Sequence, residues 1–144
     1  MSSDAVLREV TLALPMAPEM EIEASKTAGA VAASMRMSPD RIDEVRQAVI
    51  EAFINALEHS RAEDREVFLT FEILGEKDPE KLRITVRDHG VGFTPTEVRE
   101  PRIEDKISGT NRRGWGLKII RGLMDEVEIR SGVGGTIVVM SKLR

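Results

Sequence analysis

Glu51-Ala52-Phe53-Ile54-Asn55-Ala56-Leu57-Glu58-His59 is the stretch on which the reading of this chain turns. From Ala48 to Leu57 nearly every residue is apolar, and only Glu51 and Asn55 interrupt the run. At about 100° per residue those two side chains stand roughly 40° apart on one helical face. Gln47 and Glu58 flank them on the same narrow stripe. The rest of the wheel is apolar, so the spacing predicts a helix that is largely buried. A carboxylate and an amide on such a helix need protein partners or a ligand, because an unpaired buried polar group is costly. A solvated stripe on a surface helix is the plain alternative, and clusters farther along the chain weigh against it.

Ser38-Pro39-Asp40 predicts the start of this helix: a capping hydroxyl, proline at the first position and acid in the first turn. The helix is expected to end near Ser60. Upstream, Val6, Val10, Leu12 and Leu14 share one face of a predicted strand, with Arg8 among them. Pro15 and Pro18 stop it, and Pro18 suits the first turn of a helix running to about Arg36. Ile22, Val31, Ala32 and Met35 are its expected core contacts, and Gly29 weakens it. Downstream, Val67, Leu69, Phe71 and Ile73 alternate with polar or outward residues, as do Leu82, Ile84 and Val86. The polar turn 75–79 between them makes an antiparallel hairpin. Residues 94–113 lack a period, and a structureless loop of that length in a compact domain is usually functional. Gly114-Trp115-Gly116 is expected to open an apolar helix through Leu117, Ile119, Ile120, Leu123 and Met124. Strands 126–130 and 136–141 follow, joined by a glycine-rich turn. The order β-α-α-β-β-loop-α-β-β predicts an α+β fold: a two-layer α/β sandwich. Its sheet, of about five strands, would be mixed but mostly antiparallel, with the helices on one face.

The chain has 144 residues, 41% of them hydrophobic and 32% charged, which suits a single domain over 1–144. A net charge of -4 argues against direct nucleic-acid binding. Cysteine is absent, which excludes disulfides and thiolate metal sites. No apolar run reaches the length of a membrane span, and no signal-peptide pattern opens the chain. A cytoplasmic protein with no membrane association is therefore expected.

Three clusters bear on chemistry: Glu51 with Asn55; Asp88, Gly90 and Gly92 at a strand end; and Gly114 with Gly116 at a helix start. Each is weak alone, since a DxG is usually a turn and a GxG usually a loop. Context raises them. Asp88-His89-Gly90 follows a strand with no immediate return strand. Glycines directly before a helix let backbone N–H groups approach a phosphate, which the helix dipole favours.

In this order and spacing the chain resembles the GHKL, or Bergerat-fold, ATPases. Glu51-Ala52-Phe53-Ile54-Asn55-Ala56 is similar to their N box, and Asp88-His89-Gly90-Val91-Gly92-Phe93 to the first glycine box. Gly114-Trp115-Gly116-Leu117 is similar to the second, and Gly135-Thr136 to the last. The small size, short lid and ending resemble the anti-sigma-factor serine/threonine kinases of the RsbW type. The resemblance implies ATP and Mg²⁺ as cofactors, with Asn55 offering its amide oxygen to the metal. Asp88 would accept from the adenine amino group, supported by Thr136, and Gly90 and Gly92 would pass close to the base. Residues 94–113 would form a mobile lid, and Gly114, Gly116 and Leu117 would belong to the phosphate side. Arg112 and Arg113 are either surface charge or lid arginines that touch the γ-phosphate or an acidic partner. Glu51 would be the general base that takes the proton from a serine or threonine hydroxyl as phosphate transfers. The implied partners are a sigma factor and a STAS-type antagonist, and the family implies a homodimer. A nucleotide-dependent binding switch without kinase activity, and a plain ATPase, are the other readings of the same fold. His59 reads as packing or end-capping, and His89 as a tolerated substitution.

Overall fold

The computed structural model describes residues 5–59, 66–88, 112–132 and 135–144. Strand β1 (Val6–Pro15) leads into helices α1 (Met20–Ser34) and α2 (Pro39–His59), then strands β2 (Glu66–Leu74) and β3 (Lys81–Asp88). Helix α3 (Arg112–Leu123) and strands β4 (Glu126–Gly132) and β5 (Gly135–Leu143) follow. The five strands form one sheet in the order β1-β2-β3-β5-β4. All four neighbouring pairs are antiparallel, so the sheet is more uniform than the mixed one expected.

The register explains where the core lies. Val10, Phe71, Ile84, Met140 and Val127 form one row across the sheet; Leu12, Leu69, Val86, Val138 and Ile129 form the next. Side chains alternate between the faces of a strand, so these rows point to the same side and meet the helices. The rung beyond them changes character, because Asp88, Thr136 and Ser131 stand opposite one another on β3, β5 and β4. The helix-facing side of the sheet is thus apolar along these rows and polar at both ends of β5, at Thr136 and at Lys142.

Helix α2 buries Val45, Ala48, Val49, Ala52, Phe53 and Ala56, the strip that the sequence pattern requires. Its start is capped as expected: the Arg41 N–H donates to Ser38 Oγ at 3.3 Å. Helix α1 departs from expectation at both ends. Pro18 lies in the turn before it, and Glu19 precedes the first helical residue with φ 76°. Its buried face is built from small residues, Ala24, Ser25, Ala28, Val31 and Ala32, while Ile22 is 49% exposed and not in the core. A helix seated through alanines sits close to its neighbours, and the face of Ile22 turns outward. Gly29 serves that close packing: a Cβ there would lie 2.9 Å from Arg46 Cδ, whose Nε donates to Ser25 Oγ at 3.1 Å. The helix ends at Ser34, not Arg36. The Met37 N–H donates to the Ala32 carbonyl and the Arg36 N–H to the Ala33 carbonyl, a Schellman closure. It places Arg36 at φ 64°, a conformation that favours glycine.

Lys142, on β5, is buried and ties three elements together. Its Nζ donates to Glu44 Oε2 on α2 at 2.8 Å and to the Leu123 carbonyl at the end of α3. In α3, Leu117 and Ile120 are buried, whereas Ile119, expected among the core residues, is 38% exposed. One residue is about 100° of helix, so with Leu117 and Ile120 turned inward Ile119 falls at the edge of the buried arc.

Candidate functional site

One pocket gathers the distant parts of the sequence. Ala52, Asn55 and Ala56 come from α2, Leu117 from α3, Val86 and Asp88 from β3, and Thr136 and Val138 from β5. The space exists because α2 carries alanine at 52 and 56, where a larger side chain would reach the sheet. Val86 and Val138 pair across β3 and β5 as an apolar wall, and the Asp88–Thr136 rung closes one end with oxygen atoms. Thr136 is buried, and its Oγ1 lies 3.1 Å from Ser131 Oγ on β4. Three strands thus hold one row of oxygen groups at the rim of an apolar slot. The lining thus combines apolar walls with one polar end.

Asn55 occupies the helix side of the pocket. It is 9% exposed, and its Nδ2 is sealed from solvent without a hydrogen-bond partner. An unsatisfied buried N–H donor costs about 1–3 kcal/mol, and only a hydrogen-bond acceptor, not a cation, would recover it. Among the described residues no group of three or more His, Asp or Glu is placed to hold a metal. Asn55 is the one amide among the described lining residues, a residue type whose oxygen can join a cation otherwise held by phosphates and water. Glu51 stands one turn before Asn55 on α2 and is partly buried. It lies outside the lining of the pocket itself, and Gln47 Nε2 donates to its Oε1 at 3.3 Å.

The glycine pair before the third helix sits differently from expectation. Helix α3 begins at Arg112, so Gly114 and Gly116 are inside it and not ahead of it. Arginine is a good helix former, and a helix tolerates glycine at about 1 kcal/mol each. Gly114 remains in the first turn, where N–H groups lack intrahelical partners; Gly116, the fifth residue, lies beyond them. A Cβ on Gly116 would lie 2.7 Å from Asn55 Nδ2 and 3.3 Å from both Cγ and Oδ1. Gly90 and Gly92, residues 94–111 of the expected lid at 94–113 and the side chains of Arg112 and Arg113 lie outside the described residues, and the last two lid positions belong to α3.

The structure therefore brings Asn55, Asp88, Leu117 and Thr136 to one pocket, sets Gly116 against Asn55 and leaves Glu51 one turn away. The sequence reading missed the walls, Ala52, Ala56, Val86 and Val138, and the outer hydroxyl, Ser131. A signal for Ser131 was present: a tight hairpin closed at Gly132 and Gly135 sets Ser131 opposite Thr136.

This arrangement is that of a nucleotide-using domain, and the chain belongs to the histidine kinase-like ATPase family, whose description matches residues 14–142. It is 32% identical over 136 residues to the anti-sigma F factor of Geobacillus stearothermophilus, covering 93% of this chain and 91% of that protein. The anti-sigma F factor of Bacillus cytotoxicus is similar to the same extent, 32% identical with the same coverage. Among solved structures, the RsbU and RsbW domains of a Mycobacterium tuberculosis protein share the fold with a TM-score of 0.69 at 19% identity. That match covers 94% of this chain and about a third (32%) of the longer one. The mycobacterial sensor histidine kinase MprB shares it with a TM-score of 0.54 at 16% identity, covering 93% of this chain and 97% of that one. Among the described residues no helix is long and apolar enough to cross a membrane.

Proposed function

We propose that this protein is an ATP- and Mg²⁺-dependent serine/threonine kinase that acts as an anti-sigma factor, holding a sigma factor and phosphorylating a STAS-type antagonist. The observation that carries the reading is the pairing of an unpartnered Asn55 amide with the Asp88–Thr136 rung across one apolar pocket. The similarity over 93% of the chain to proteins named anti-sigma F factor supports the choice of partners.

In this reading Asp88 accepts from the adenine amino group, and Thr136, held by Ser131, supports the same edge of the base. Asn55 Oδ1 ligates the metal. Gly114 and the first turn of α3 present N–H groups to the phosphates, and Arg112 or Arg113 meets the γ-phosphate. Gly90 and Gly92 pass the base, and the segment before α3, from residue 94, closes over the nucleotide as a lid. Bound Mg-ATP supplies the phosphoryl group that is transferred. Glu51 takes the proton of the partner's hydroxyl as that oxygen bonds to the γ-phosphorus and ADP leaves with the bridging oxygen. Gln47 Nε2 donates to Glu51 Oε1, and Oε2 would take the proton. The protein works as a cytoplasmic homodimer of single-domain subunits.

The test is Glu51→Ala. The variant should bind Mg-ATP with wild-type affinity by calorimetry and transfer radiolabelled phosphate to a purified STAS partner at least 100-fold more slowly. Transfer at the wild-type rate would remove Glu51 as the base. Binding without transfer in either protein would favour a nucleotide-dependent switch over a kinase.

A further inference from the structure

We propose that Gly116 is a positioning residue for Asn55, and that its contribution to nucleotide binding runs through the metal and not through the phosphates. This rests on the reading of Asn55 as the metal ligand. Two observations carry it. As the fifth residue of α3, Gly116 has its N–H engaged within the helix and is not one of the free donors that a phosphate could use. The hydrogen that replaces its side chain leaves the space in which the Asn55 amide lies: an added Cβ would fall 2.7 Å from Nδ2, closer than real contacts come. The amide nitrogen is sealed from solvent, and it lies nearer that added Cβ than the oxygen does, 2.7 Å against 3.3 Å.

A flat contact of this kind fixes which amide atom turns toward α3. Nδ2 is the amide atom that meets Gly116, and metal ligation by Asn55 requires Oδ1 to be the atom presented to the pocket. Any side chain at 116 displaces the amide. Because the clashing atom is the free end of a short side chain, Asn55 yields by turning about its own bonds and the helices stay in place. The substitution therefore misdirects a ligand without unfolding the domain.

The experiment uses the full chain with Gly116→Ala, Asn55→Ala and the double variant. Affinity for an ATP analogue is measured by calorimetry in excess Mg²⁺ and again in EDTA. Gly116→Ala should lose at least tenfold in Mg²⁺ while staying within threefold of wild type in EDTA, and the double variant should be no weaker than Asn55→Ala. Without nucleotide, the Asn55 side-chain amide resonances should exchange slowly with solvent in the wild type. In Gly116→Ala they should shift and exchange fast. Equal losses with and without Mg²⁺ would return Gly116 to a phosphate role and overturn the proposal, as would additive losses in the double variant or unmoved amide resonances. A wild type that binds nucleotide indifferently to Mg²⁺ would also overturn it while leaving the nucleotide site standing. A wild type that binds no nucleotide would overturn both readings.

Discussion

Replacing Lys142 with methionine should destabilise the domain by about 2 kcal/mol, and the figure follows from its surroundings. The Lys142 side chain is 5% exposed and donates to two acceptors with different fates when it is lost. Glu44 is 39% exposed, so water replaces its partner and its share falls to that of a surface pair, about 0–1 kcal/mol. The Leu123 carbonyl is one of the unpaired acceptors at the end of α3, and losing a cation there costs about 1–2 kcal/mol. Methionine keeps the apolar stem and its volume, so little is added for a cavity. For a chain of this size each kcal/mol moves the melting temperature by about 2–4 °C. Thermal unfolding followed by far-UV circular dichroism should therefore show a drop of about 4–8 °C. A midpoint within 1 °C of wild type would refute the view that Lys142 clamps α2, α3 and β5 together. A rise would show that desolvation of the lysine outweighs its contacts.

Asp88→Asn should weaken ATP binding by about 10- to 100-fold, the equivalent of one charge-assisted hydrogen bond, with the fold intact; calorimetry against the unchanged circular dichroism spectrum checks it. Ser131→Ala removes the hydroxyl 3.1 Å from Thr136 Oγ1 and should cost about three- to tenfold in the same titration, although Ser131 itself stands one strand away from the pocket lining. Arg36→Gly relieves a left-handed conformation at φ 64° and should raise the melting temperature by about 2–4 °C, for a gain of about 1 kcal/mol; a fall would show that the arginine side chain makes contacts worth more than the strain.

Much of this was legible in the residues, and what was not has physical causes. The α2 strip from Val45 to Ala56 and the alternation of β2 were readable because each has a regular period with one buried face. Ile22 misled because hydrophobicity alone cannot say which arc of α1 faces inward when alanines make the contact. The start of α3 misled because glycine signals helix ends when its backbone freedom is used, and Gly116 is there for the absence of a side chain. The pocket walls were hidden for a related reason: Ala52 and Ala56 act by what they leave empty. Asn55 was visible as a polar residue in an apolar run and Asp88 as the acid at a strand end, whereas Thr136 was reached only through the family resemblance, and only the strand register sets it opposite Asp88.

Strand β5 follows β4 in sequence yet lies between β4 and β3. A chain emerging from a ribosome can therefore settle α1 and α2 on β1, β2 and β3 while β4, already made, still waits for a neighbour. Only when β5 slides into the central gap does β4 acquire a hydrogen-bonded partner and Thr136 meet Asp88. The Asp88–Thr136 rung is thus among the last pieces to be zipped. During synthesis the helical half of the site stands ready before there is a complete floor for a ligand to rest on.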